Sequence, residues 1–153
     1  MYYLKFLLLF LCCCVMLSAC KQQDTYSVVP EEVLLEDKSN NTGSVVLATE
    51  KDTYPIDSEK IRYSITNYSD DIYYFTNETF YFEYYKNNAW EKYPFRKGDD
   101  VYFTYEGWYH ELKTNETSMV RGVVLRNFFD TPMKKGYYRI VRGDLVSEIF
   151  LME

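Results

Sequence analysis

From Ser44 onward apolar and polar residues alternate one by one in short runs, and turn-forming residues break the runs every few positions. The clearest run is Ile61-Arg62-Tyr63-Ser64-Ile65-Thr66. Successive side chains of an extended chain point to opposite faces, so Ile61, Tyr63 and Ile65 share one face and Arg62, Ser64 and Thr66 the other. That is a strand with one buried side. Thr79 to Tyr85 reads the same way, with Phe80, Phe82 and Tyr84 on one face and Tyr81, Glu83 and Tyr85 on the other. Further strands are expected at Ser44 to Glu50, Tyr73 to Phe75, Trp90 to Tyr93, Val101 to Tyr105, Ser118 to Leu125, Tyr137 to Val141 and Val146 to Leu151. Turn signals fall between them at Tyr54-Pro55, Asn67 to Asp71, Lys86 to Asn88, Lys97 to Asp100, Thr114-Asn115, Lys134 to Gly136 and Arg142 to Asp144. No helical period is sustained and no fixed repeat recurs, so the pattern predicts an all-β sandwich or barrel of about seven to nine antiparallel strands.

All four cysteines lie at or before Cys20, so residues 44–153 have no thiol for a disulfide or a soft-metal site. The core must hold by packing alone. Aromatic residues make up 19% of the chain, with 17 tyrosines, and these have the size and β-propensity for that task.

The start of the chain is of another kind. After Lys5 it runs without a charge from Phe6 to Cys20, too short a stretch to span a bilayer comfortably but the length of a secretory signal's apolar middle. Its exit, Leu17-Ser18-Ala19-Cys20, resembles the lipobox of bacterial lipoproteins, in which small residues precede a cysteine whose thiol is alkylated by diacylglycerol. The resemblance implies a signal peptide over residues 1–19, a lipidated Cys20, and anchoring to the cell membrane or outer membrane with the rest facing outside the cytoplasm. Two or more acyl chains give stable attachment where one does not. Residues 20–43, rich in polar residues and carrying Pro30, read as the lipidated cysteine and a flexible tether ahead of a domain spanning 44–153.

Within that domain Val46 to Tyr54, Ile61 to Asn67, Trp90 and Gly136-Tyr137-Tyr138-Arg139-Ile140 together resemble bacterial immunoglobulin-like (Ig-like) domains. The resemblance implies an Ig-like β-sandwich in an exported protein and carries no chemistry of its own. Tyr138, two residues before Ile140, has the spacing of a tyrosine corner, where a buried phenol bonds back to nearby backbone. Gly136 supplies the tight turn before it. Trp90 is either an interior anchor or a half-exposed edge aromatic.

Charge and motifs exclude more than they assign. Loss of residues 1–19 takes Lys5 away and leaves 16 basic against 23 acidic residues, a formal charge of −7, with the two signs interleaved. That argues against nucleic acid and against broad adhesion to anionic lipid. The single histidine, His110, offers no multi-histidine metal site. The pairs Asp70-Asp71 and Asp99-Asp100 lack the ligand spacing of a calcium loop and read as solvated turn acids. Glu106 and Glu111 show no spacing that singles out a glycosidase pair, and no nucleophile elbow or phosphate loop occurs. The expected protein is therefore non-enzymatic and needs no cofactor or metal, a small hydrolase being the remote alternative. It binds an envelope protein or has a structural role there. The alternative is a glycan-binding module, with Tyr81, Tyr85, Trp108 and Tyr109 as candidate contacts, joined by Tyr102 and Tyr105 in a stacking platform; the stronger reading of the same tyrosines is wall material of the sandwich, since tyrosine has high β-propensity and tolerates half-burial.

Overall fold

The computed structural model describes residues 29–31, 33, 44–76, 80–96 and 109–153. The signal segment, Cys20, most of the tether, the expected strand Val101 to Tyr105, and Asp99, Asp100, Glu106 and Trp108 lie outside the described residues. Val29, assigned to the tether, is buried. No helix among the described residues is long and apolar enough to cross a membrane.

One sheet is built on β3 (Lys60–Asn67), whose burial alternates residue by residue as its sequence does. On one edge β3 pairs antiparallel with β1 (Val45–Thr49). On the other edge it pairs with two successive segments, β8 (Glu116–Thr117) and β9 (Arg121–Val124). The second sheet runs β2 (Thr53–Tyr54), β12 (Phe150–Met152), β10 (Gly136–Arg142), β5 (Phe80–Lys86) and β6 (Ala89–Lys92), with β11 (Leu145–Val146) also on β10. All its pairs are antiparallel except β2 with β12. The first strand region thus changes sheets between Thr49 and Thr53, giving one strand to each layer. A separate ribbon pairs β4 (Tyr73–Thr76) with β7 (Tyr109–Leu112).

The core lies between the two sheets. Leu47, Ile61, Tyr63, Ile65 and Val123 come from one side, and Phe80, Phe82, Tyr138, Ile140, Phe150 and Met152 from the other. The single-turn helix α1 (Leu125–Phe128) and the residues after it add Leu125, Phe129 and Met133. Rings dominate the contacts. Phe82 meets Phe129 at 4.9 Å between centroids and Phe150 at 5.9 Å, while Tyr138 stacks on Phe150 at 6.0 Å. Such pairs add roughly 0.5–1.5 kcal/mol each beyond the area they bury, which is how this domain's interior coheres without a disulfide.

Two expected strands are interrupted. Ser118 to Leu125 is a strand only at Arg121–Val124, and Val146 to Leu151 breaks between β11 and β12. The cause is the same in both sheets. The Ser118 amide donates to the Ile65 carbonyl while the Ser118 hydroxyl accepts from the Ile65 amide. The Ser147 amide and hydroxyl treat Ile140 in the same way. A side-chain oxygen has replaced a backbone carbonyl, so the ladder stays satisfied while the chain bulges. In the first bulge Met119 is thrown out to 88% exposure.

The hairpin between β5 and β6 turns through Asn87 and Asn88, both with positive φ, as a two-residue primed turn requires. Asn67, expected only as a turn residue, is also the last buried position of β3. Its amide nitrogen donates to the Asp71 and Leu112 carbonyls, and its oxygen accepts from the Ser69 amide and hydroxyl. One fully satisfied side chain therefore shapes the 67–71 turn and ties the β4–β7 ribbon to the first sheet. The carbonyl of Asp71, one of the paired turn acids, serves this knot, and the side chains of Asp70 and Asp71 are exposed.

Candidate functional site

The ribbon's pairing register decides what it shows to solvent. Tyr73 opposite Leu112 and Phe75 opposite His110 place these four side chains on the inward face. Tyr74, opposite Glu111, and Tyr109 fall on the outward face, at 57% and 69% exposure. Residues in this diagonal relation stand roughly 7–8 Å apart, within reach of aromatic side chains. Tyr68 and Ile72, on the loop leading into the ribbon, are exposed as well.

Beside the ribbon is a half-open cavity of about 200 Å³, lined by Ile65, Tyr73, Tyr74, Phe75, Tyr109, Arg142, Asp144 and Leu145. Its charged wall comes from the β10–β11 hairpin, which turns tightly at Gly143 with φ +60°. Arg142 follows Tyr138 and Ile140 on the inward parity of β10 and is only 6% exposed. Its guanidinium donates to the Tyr63 hydroxyl and lies 5.8 Å from the Tyr63 ring and 5.6 Å from the Phe75 ring. Arg121 stands 5.3 Å from the same Phe75 ring. Burial, with the like charge of Arg142 nearby, lowers the proton affinity of Arg121 from its usual value. His110 stacks on Phe75 at 5.2 Å, and its Nε2 is buried with no hydrogen-bond partner among the described residues. At the rim the Tyr73 hydroxyl donates to the Asp144 carboxylate at 3.3 Å. The cavity thus combines aromatic walls, a buried cation and an exposed carboxylate.

Of the expected surface contacts that are among the described residues, only Tyr109 stands out into solvent. Tyr85 is a correction: it is 2% exposed, because Trp90 opposite it on β6 packs edge-on at 5.1 Å. Tyr81 is half-buried, with the Lys92 ammonium 5.6 Å from its ring. Trp108 lies outside the described residues. Trp90 is the half-exposed edge aromatic of the two readings, on the outer strand β6. The Arg139 guanidinium covers it at 4.4 Å and is held by Glu83 at 2.6 Å. The Tyr138 hydroxyl donates to the Lys134 carbonyl at 2.9 Å, four residues upstream. Burial pushes this phenol far above the ordinary tyrosine range, with Tyr93 and Tyr84 adding to the effect. Gly136 has φ +147°, and a Cβ there would lie 2.4 Å from Cε2 of Tyr84, so both backbone and neighbour demand glycine.

Sequence reasoning passed over Tyr74 and Arg142. Both carried a signal. Tyr74 lies between Tyr73 and Phe75, so alternation sends its ring opposite theirs, and Arg142 places a charge on an otherwise apolar parity.

No curated protein matches the chain, and no solved structure matches it. A family model described as a bacterial Ig-like domain matches residues 41–148, a span that holds β1 to β11 and the whole cavity lining. With the two mostly antiparallel sheets and a buried tyrosine bonded back to its own approach, this shows that the chain belongs to the bacterial Ig-like domain family.

Proposed function

We propose that this chain is a lipid-anchored, non-enzymatic binding module of the bacterial envelope. Cys20 carries the acyl chains and the Ig-like domain meets a protein partner through the β4–β7 end of the sandwich. The observation that carries this reading is the outward pair Tyr74 and Tyr109, with Tyr68 and Ile72 beside them. The core is already closed by other rings, so these four side chains contribute little to it. Interface anchors are typically tyrosines of this sort, large and rigid with a polar tip.

The test is affinity capture from solubilised envelopes with the full chain and with a Tyr74→Ala/Tyr109→Ala chain. The expected result is a discrete partner recovered by the first and reduced at least tenfold with the second. Equal recovery by both, or recovery by neither, defeats the reading.

A further inference from the structure

We propose that the free edge of β9 receives an extended segment of a partner protein as an added antiparallel strand, and that Lys60 selects a segment in which apolar residues alternate with polar ones, one of them acidic. The site uses none of the residues of the contact surface proposed above and stands independently of it.

The pairing pattern decides which backbone groups are free. The Glu50 amide donates to the Arg62 carbonyl, so the even-numbered residues of β3 turn their backbone groups to β1. The Ser118 amide donates to the Ile65 carbonyl, so the odd-numbered ones turn theirs to β8 and β9. Tyr63 and Ile61 therefore bond Arg121 and Val123, while Gly122, opposite Arg62, directs its N–H and C=O to the open side, as Val124 does its N–H. Natural sheet edges are ordinarily blunted by charge, proline or a covering element. Glu91 and Lys92 guard β6 in this way, and β1 runs close to β11 of the second sheet. The open row of β9 carries no charge, and just ahead of it Met119 and Val120 stand 88% and 63% exposed. Unpaired backbone beside apolar side chains is what an added strand uses, main-chain bonds giving affinity and alternate side chains specificity.

The charge comes from Lys60. Its side chain crosses from β3 over Gly122, where a Cβ would collide with Lys60 Cε and lie 2.8 Å from Nζ. Glycine at 122 is thus what lets the ammonium reach the sheet edge on the outer face. Lys60 has no ion pair among the described residues, whereas Arg62 on the same face is paired with Glu50 at 3.5 Å. The residue that pairs with Gly122 on an incoming strand carries its side chain on that outer face, so a carboxylate there meets an unpaired cation. A second copy of β9, paired with the first about a two-fold axis at Gly122, would bring two Lys60 ammoniums together across the glycines. The occupant is therefore a segment of another protein.

The test is an amide NMR titration of the full chain in detergent with two designed peptides, Thr-Val-Thr-Val-Glu-Val-Thr-Val and the same sequence with lysine in place of glutamate. The glutamate peptide is expected to bind at least tenfold more tightly, slowing hydrogen exchange most at the Gly122 and Val124 amides. Lys60→Glu is expected to reverse the preference between the peptides. Gly122→Pro, which removes a donor that the folded domain leaves unused, is expected to abolish binding of both. The Tyr74→Ala/Tyr109→Ala chain is expected to bind the glutamate peptide as the parent does, so a failed envelope capture leaves this site standing. Absence of binding, equal affinity for the two peptides, an unreversed preference in Lys60→Glu, or loss of binding in the Tyr74→Ala/Tyr109→Ala chain overturns the proposal. So does self-association of the parent chain in sedimentation that Gly122→Pro abolishes, since the edge is then filled by a second copy.

Discussion

At the residue scale this domain depends on polar groups placed where only one partner can serve them. Tyr138 is fully buried, with its hydroxyl bonded back to the Lys134 carbonyl and Tyr93 and Tyr84 close by, so the phenol must keep its proton in the folded state. The sign follows from linkage. A group whose folded proton affinity is raised supports folding fully below its unfolded pKa, and that support drains away as pH rises from there toward the folded value. Tyrosine ionises near pH 10 in unfolded chains, so stability should decline from about pH 10 upward. Tyr138→Phe removes the hydrogen bond at a cost of about 1 kcal/mol near neutral pH, and it also removes the group that titrates. Urea midpoints measured from pH 7 to 11.5 should therefore start lower in the variant and fall less steeply. Parallel alkaline limbs would show that other tyrosines dominate. The corner was legible in the sequence from the spacing of Gly136, Tyr138 and Ile140. The burial of Tyr85 was not, because it depends on a cross-strand tryptophan that comes opposite only once the Asn87-Asn88 turn fixes the register.

At the element scale the period of two located the interiors of the strands but not their interruptions. Tyr73–Thr76, Phe80–Lys86 and Gly136–Arg142 begin and end within one residue or so of the alternating runs, since alternation and burial are the same fact seen twice. Alternation is blind to the two serines that stand in for backbone, because a serine on a half-polar strand looks like any outward residue. β2 was missed for a related reason: it pairs through only two residues. The serine bulges predict an unequal pair of effects. Ser147 is fully buried, so Ser147→Ala leaves the Ile140 amide without an acceptor in a dry place and should cost about 1–3 kcal/mol. Ser118 is half-buried, and water can replace its hydroxyl at Ile65, so Ser118→Ala should cost less than half as much. Urea unfolding of the two variants gives the comparison directly. Equal losses would mean that the bulges hold through backbone bonds alone.

For the whole molecule, the proposed anchoring and the folding are separable, because the residues of each lie in different parts of the chain. Among the described residues the core cluster runs from Leu47 to Met152, and every cysteine of the sequence lies at or before Cys20. The resemblance to a lipobox rests on four adjacent residues, Leu17 to Cys20, that can be compared one by one. The candidate surface is assembled only when the sheet register brings β4, β7, β10 and β11 together, so Tyr109 was named from the sequence and Arg142 was not. The acidic domain has no broad attraction for anionic headgroups, so the acyl chains alone would hold it at the membrane. Cys20→Ser should therefore move the protein from the membrane fraction to the soluble fraction or leave it as uncleaved precursor. Its urea midpoint should remain that of the parent chain, and it should not rebind vesicles of anionic lipid even at low salt. Metabolic labelling with an alkyne fatty acid should mark the parent chain and not the variant. If the parent stays unlabelled, or if the variant remains on membranes after cleavage, the attachment is made by something other than the acyl chains, and the domain's own surface becomes the place to seek it.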